Sequence, residues 1–177
     1  IFASKQTSRG PGVYVKTNDD GGIIKKELDI RLTKTTEIDF SWLYRKLPAI
    51  APETTLPTHD YMSIAIEFDN GQDITWYWSH SLAPETFYRC PLAGWDKVET
   101  HIVVQSGQDG LGEWHQHKRN IYTDYSTSVG GEMPKKIVGV WFIGNSLFGR
   151  RGADAEFANI SVQDGNTQIN IFERDAN

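Results

Sequence analysis

The sequence predicts an all-β protein: an antiparallel β-sandwich of jelly-roll type with one short helix. Three observations carry that prediction. Short runs rich in β-branched and aromatic residues recur along the whole chain, Gly, Pro, Asn and Asp break them at close intervals, and a single segment shows helical spacing. The 177 residues, 38% hydrophobic, suffice for one core, and no linker interrupts the β pattern, so residues 1–177 are expected to form a single domain.

The run GVYVK (12–16) opens the series, and KKELDIRLT (25–33) and EIDFSWLYR (37–45) follow. LPAIAPETTLPTHD holds three of the seven prolines and reads as a long loop, because β pattern resumes beyond it. YMSIAIEFD (61–69) and DITWYWSH (73–80) flank Asn70-Gly71, a pair able to supply the positive φ angles of a primed turn. These two strands should therefore be antiparallel neighbours. KVETHIVVQS (97–106), KIVGVWFIG (136–144), FANISV (157–162) and TQINIF (167–172) bring the total to nine strands, which suits two packed sheets. Strand 136–144 is apolar on both faces, with Val138, Val140 and Phe142 against Ile137, Trp141 and Ile143, as a central strand would be. In HKRNIYTDYSTSV, Ile121, Tyr122, Tyr125 and Val129 fall at helical spacing, so a helix of about two to three turns is expected to cross one end of the sandwich.

The net charge is −5 and the cations are scattered among acids, so neither nucleic acid nor an anionic membrane is expected as a partner. No apolar run approaches the ~20 residues of a membrane span. One cysteine, Cys90, leaves no internal disulfide to form, and both an exported chain with its signal peptide removed and a cytoplasmic one stay open.

The segment VVQSGQDGLGEWHQHKRNIYTDYSTSVGGEMPKKIVGVWFIG carries an extended VV-x-SG, a Gly-x-Trp ending at Trp114, an Arg-Asn with Asp-Tyr following, then Pro and an Ile-x-Gly-Val strand. It resembles the widespread bacterial family known as the domain of unknown function DUF3047. DFSWLYRKLP (39–48) is similar to that family's Phe-x-Trp-x-Trp-Arg segment, and ITWYWS (74–79) to its Tyr-x-Trp-Ser strand. The resemblance covers about 125 residues, roughly 39 to 163, and departs from the pattern where GNSLFGRRGADAEF replaces an expected Thr-Asp-rich run. More distantly, the closing EFANISV is similar to galactose-binding-like jelly rolls, the architecture of many carbohydrate-binding modules. In those an acidic residue of the closing strand helps hold a structural calcium. Here that position is Ala158, so no metal or other cofactor is expected from the resemblance.

Candidate chemistry gathers in two places. In WYWSHS (76–81), Trp76, Trp78 and His80 share one strand face, giving aromatic surface with a polar group at its edge. With Trp42, Tyr44, Arg45, Trp141 and Asn145 they would suit a saccharide, whose C–H faces lie on rings while Arg, Asn and His take the hydroxyls. About three of the five rings Trp42, Tyr44, Trp76, Trp78 and Trp141 are expected to be core filler. The loop 145–156 is expected to bring Phe148 and Arg150 or Arg151 over the cleft mouth. The second place is His115-Gln116-His117, whose imidazoles share a face in extended chain and could take part in acid/base chemistry or, with His59, His80, His101 or Glu113, hold an ion. Solvated histidines are the plainer expectation there. Cys90 has no partner histidine nearby in sequence and is expected to be a small buried filler.

The expected function is therefore the binding of a saccharide or other small polar–aromatic molecule in an aromatic-lined cleft. The rival is a small enzyme, a lyase, isomerase or hydrolase, using His80, His115 or His117 as general acid or base. A purely structural domain would have no concave polar site at all.

Overall fold

Strands form wherever the period-two pattern is strong and, at three places, where it is weak. The computed structural model describes residues 1–173. In chain order the strands are β1 (Phe2–Thr7), β2 (Gly10–Thr17), β3 (Gly21–Arg31), β4 (Glu37–Lys46), β5 (Tyr61–Phe68) and β6 (Asp73–Ser79). Then come β7 (Phe87–Arg89), β8 (Glu99–Ser106), β9 (Trp114–Asn120), the helix α1 (Ile121–Ser128), β10 (Lys136–Asn145), β11 (Ala153–Asp164) and β12 (Thr167–Asn170). The strands absent from the sequence reading are β1, β7 and β9: two are short or exposed edge strands, and β9 is polar in every residue after Trp114.

Two sheets face each other. The first has the order β1-β2-β11-β4-β9, with β12 also paired to β11, and the second the order β3-β10-β5-β6-β8-β7. Every pairing is antiparallel except β6 with β8, which runs parallel because the chain leaves β6, lays down β7 on the far side and returns. β10 pairs with β3 and β5 on its two edges, and both its faces are apolar because each joins an apolar cluster. Its inward face presents Val140 and Phe142 to the core between the sheets, and its outward face presents Trp141, Ile143 and Asn145.

The hairpin joining β5 and β6 is present, with Ser63 opposite Tyr77 and Ile66 opposite Ile74. Its turn differs from the expected primed type. Only Gly71 has a positive φ, 79°, while Phe68 N–H donates to Gln72 O at 2.9 Å, leaving a three-residue loop closed by one left-handed glycine. The helix begins at Asn120, whose side chain accepts the Thr123 N–H at 2.8 Å. It buries Ile121 and Tyr125 and plugs the end of the sandwich, with the Tyr125 ring edge-on to Phe68 at 5.0 Å.

Candidate functional site

The strand β6 sends Ile74, Trp76 and Trp78 inward, and together with Trp42 and Tyr44 these aromatic rings are at most 1% exposed. Their polar atoms are satisfied at the edge of the core. Trp42 Nε1 donates to Gln105 Oε1 (3.0 Å), Trp76 Nε1 to Asp124 Oδ2 (2.8 Å), Trp78 Nε1 to Gly107 O (2.9 Å), and Tyr44 Oη to Met62 O (2.5 Å). Four of the five candidate rings are thus filler between the sheets, and among the described residues no open groove lies over Trp76 and Trp78. The physical reason is volume, since close packing between two sheets of this span demands large side chains.

His115 and His117 share a face, as extended chain requires, but that face points inward. The His115 ring lies 5.2 Å from Trp78 and the His117 ring 4.8 Å from Trp42, so the pair caps the indole stack instead of being solvated. Burial first, and then the nearby His115 and Arg119, bring His117 down to about 4, which keeps it neutral near pH 7. His80 stands apart from both. With Arg45 and Arg151 it lines a separate depression of about 290 Å³, in which Arg45 is tied to Asp154 (3.2 Å) and Glu156 (2.5 Å). Phe148 N–H is held by Asp60 Oδ1 at 3.0 Å, and Arg150 is exposed, 3.5 Å from Asp19. Neither covers the tryptophans, because Asp60 ties their loop to the 47–60 segment instead.

The outward face of the second sheet has the opposite character. Tyr61, Asp73, Thr75, Tyr77, Ser79, Glu99 and His101 all stand on it and are nevertheless buried, with Glu53 of the 47–60 segment bonded to Tyr77 and Ser79 and with Leu82 and Tyr88 packed against Tyr61 and Tyr77. Glu53, in the first of those segments, accepts from Ser79 Oγ (2.6 Å), from the His80 N–H (2.7 Å) and from Tyr77 Oη (3.3 Å). Glu99 accepts from Thr75 Oγ1 (3.0 Å) and Tyr61 Oη (3.3 Å). Burial, and then the Glu99 carboxylate opposite, push Asp73 well above the usual carboxylate range.

Beyond the covered part, this face opens into a cleft of about 220 Å³. Tyr61, Ile143 and Asn145 line it from the sheet, Leu92 and Trp95 from the 91–98 segment, and Glu99 from its inner end. Gly21 and Gly22 form one wall, where a Cβ on Gly21 would approach Leu147 to 3.2 Å. Asn145 spends its amide on the rim, donating to His59 O (2.9 Å) and accepting the Leu147 N–H (3.1 Å). Trp95 packs edge-on against Trp141 at 6.1 Å, and both rings are half-exposed. The Trp141 ring is further fixed by its Nε1 donating to Glu67 (3.2 Å) and by Lys25, which lies 5.8 Å from the ring and pairs with Glu67. Of the sequence-predicted site residues, the structure brings Trp141 and Asn145 to this face. Tyr61, Trp95 and Glu99 were missed; Trp95 lies in AGWDK, a loop without strand pattern, and the other two were read only as strand residues.

The family profile described as "Protein of unknown function (DUF3047)" matches residues 2–161. No curated protein matches the chain. Among solved structures, the native family 12 xyloglucanase from Bacillus licheniformis aligns with 90% of this chain and 83% of its own, at 11% identity and a TM-score of 0.50. The xyloglucanase domain of NopAA, a type three effector from Sinorhizobium fredii in complex with cellobiose, aligns over 92% of both chains at 10% identity and a TM-score of 0.45. The family 11 carbohydrate-binding module from Clostridium thermocellum, in complex with a mixed-linked tetrasaccharide, covers 92% of this chain and 81% of its own at 13% identity and a TM-score of 0.44. At such identities the likeness is one of fold, the jelly-roll β-sandwich.

Proposed function

The chain belongs to the DUF3047 family, and we propose that it binds a saccharide in the cleft on the outward face of its second sheet. The observation that supports this reading is the perpendicular pair Trp95 and Trp141, half-exposed beside a cleft with the Glu99 carboxylate at its inner end. Indole faces offer apolar surface to the C–H face of a sugar ring, and a carboxylate accepts its hydroxyl protons. The edge strand β3 adds backbone groups along Gly21 and Gly22 that, among the described residues, no neighbouring strand occupies on the side away from β10. At about 220 Å³ the cleft is smaller than the roughly 300–1,000 Å³ of sites for drug-sized ligands, so it takes one ring while the rest of an oligosaccharide lies along the tryptophans.

The test is calorimetric titration with a panel of β-linked gluco-oligosaccharides, chosen because the solved relatives in fold include xyloglucanases. Binding that falls at least tenfold in Trp95→Ala and Trp141→Ala, with the melting temperature lowered by no more than about 4 °C, is the expected outcome. Binding unaffected by both substitutions, or none by the folded protein across the panel, overturns the assignment.

A further inference from the structure

Three side chains that lie far apart in sequence meet beneath the cleft. His59 follows a 3-10 turn at Leu56–Thr58, Cys90 follows β7, and His101 stands in β8. Their ligand atoms all lie within 4.8 Å of one another, and the residues are 0%, 1% and 0% exposed. We propose that His59, Cys90 and His101 form a binding site for a transition-metal ion, with zinc(II) the best match. The site shares Glu99 with the saccharide reading, but its test uses neither Trp95 nor Trp141, so the two can fail separately.

The geometry of each member supports coordination. His59 Nδ1 lies 2.6 Å from the backbone carbonyl of Glu53, which fixes it as the protonated nitrogen and aims the Nε2 lone pair at Cys90 Sγ, 3.4 Å away. A carbonyl on the second ring nitrogen is the usual partner of a ligating histidine. Zinc bonds of about 2.3 Å to sulfur and 2.0–2.1 Å to nitrogen at a tetrahedral angle place those two atoms about 3.5 Å apart, and the widest separation in the trio closes with about 1 Å of side-chain movement.

His101 supplies the second, independent observation. Both of its ring nitrogens are buried without a hydrogen-bond partner among the described residues. Nε2 stands 3.4 Å from Glu99 Oε1 but lacks the alignment of a hydrogen bond. The ring itself is fixed, stacked on Tyr88 at 5.2 Å and edge-on to Tyr61 and His59 at 4.7 Å. A buried imidazole with neither nitrogen satisfied is costly and rare. A metal ion takes one of those lone pairs and removes much of that cost.

Charge decides which ion fits. Glu99 is placed to act as fourth ligand or adjacent counter-charge, and a divalent ion with one thiolate and one carboxylate makes a neutral cluster, the form that a solvent-free site favours. On binding, the Cys90 proton leaves to solvent as the sulfur becomes a thiolate. A nucleophilic role fits worse. Cys90 is closed off from solvent and from any substrate that its sulfur could attack.

The experiment uses the full chain, reduced and stripped with a chelator, then dialysed against zinc(II), with cobalt(II) as spectroscopic substitute. One ion per chain, a sulfur-to-cobalt charge-transfer band, and affinity at least 100-fold weaker in both Cys90→Ser and His101→Phe are expected. The phenylalanine keeps a flat ring on Tyr88, and circular dichroism verifies that the variant is folded. The double variant His115→Ala, His117→Ala should keep full uptake. Absence of stoichiometric uptake by the folded chain overturns the proposal. So does a cobalt complex without the sulfur band, or uptake that depends on His115 and His117 while surviving Cys90→Ser.

Discussion

The two faces of the second sheet are built from alternate residues of the same strands, and they differ in how their polar atoms are served. Inward, Trp76 and Trp78 of β6 lie among apolar neighbours with each indole N–H paired at the rim, and Thr100 Oγ1 is buried there without a partner among the described residues. Outward, Tyr77 and Ser79 of the same strand join a layer in which Ser63 Oγ, Asp73 Oδ1 and both nitrogens of His101 are buried without partners. Aromatic density marks the core here, and unserved polar groups mark the face with chemical capacity. The difference follows from desolvation, because a buried ring needs only contacts whereas a buried polar atom needs a partner as well.

The sharpest way to break this comparison is to truncate one tryptophan on each side. Trp78→Ala should lower stability by roughly 3–5 kcal/mol, as for a core tryptophan. Trp141→Ala should lower it by only about 1 kcal/mol, since its ring is half-exposed. Equal losses in chemical denaturation would mean that the two faces are not distinct in this way.

A smaller effect concerns pH. His117 has a folded value of about 4, below the ordinary 6.5, so between those values the unfolded chain binds a proton that the folded chain does not. Stability should therefore rise with pH through that window and be fully present above about 6.5. The melting temperature of the parent chain should fall relative to that of His117→Gln by a few degrees between pH 7 and pH 4.5. Parallel curves for the two proteins would show that the inward face carries no such proton linkage.

The smallest expected change is at the cleft rim. Arg150 has φ 55° and an exposed side chain, so Arg150→Gly should relieve the backbone and stabilise by a few tenths to about 1 kcal/mol. Saccharide affinity should stay within a factor of two, because Arg150 faces Asp19 and does not line the cleft. A larger loss of affinity would extend the site outward to this loop.

Local rules made much of the architecture legible. Runs of β-branched and aromatic residues broken by Gly, Pro, Asn and Asp located nine of the strands, the Asn70-Gly71 signal located the β5–β6 hairpin, and the helical spacing of Ile121, Tyr122, Tyr125 and Val129 located α1. β9 escaped because its sequence, WHQHKRN, carries no apolar alternation; its place is set by pairing with β4, which puts His117 opposite Phe40. Trp141 and Asn145 stand together on the outward face of β10, as their spacing in a strand requires.

By itself the sequence determined strand positions and which residues share a face, because both follow from backbone geometry over a few residues. It could not determine which face of DITWYWSH turns inward, since that depends on which sheet lies opposite, and the answer reverses the meaning of every residue in the strand. Nor could it bring His59, Cys90 and His101 together. A loop, the end of a three-residue strand and a buried strand converge there only because β7 pairs with β8 and the 47–60 segment folds over both Tyr77 and Ser79 through Glu53. Such proximity is a property of non-local pairing, and no spacing along the chain encodes it.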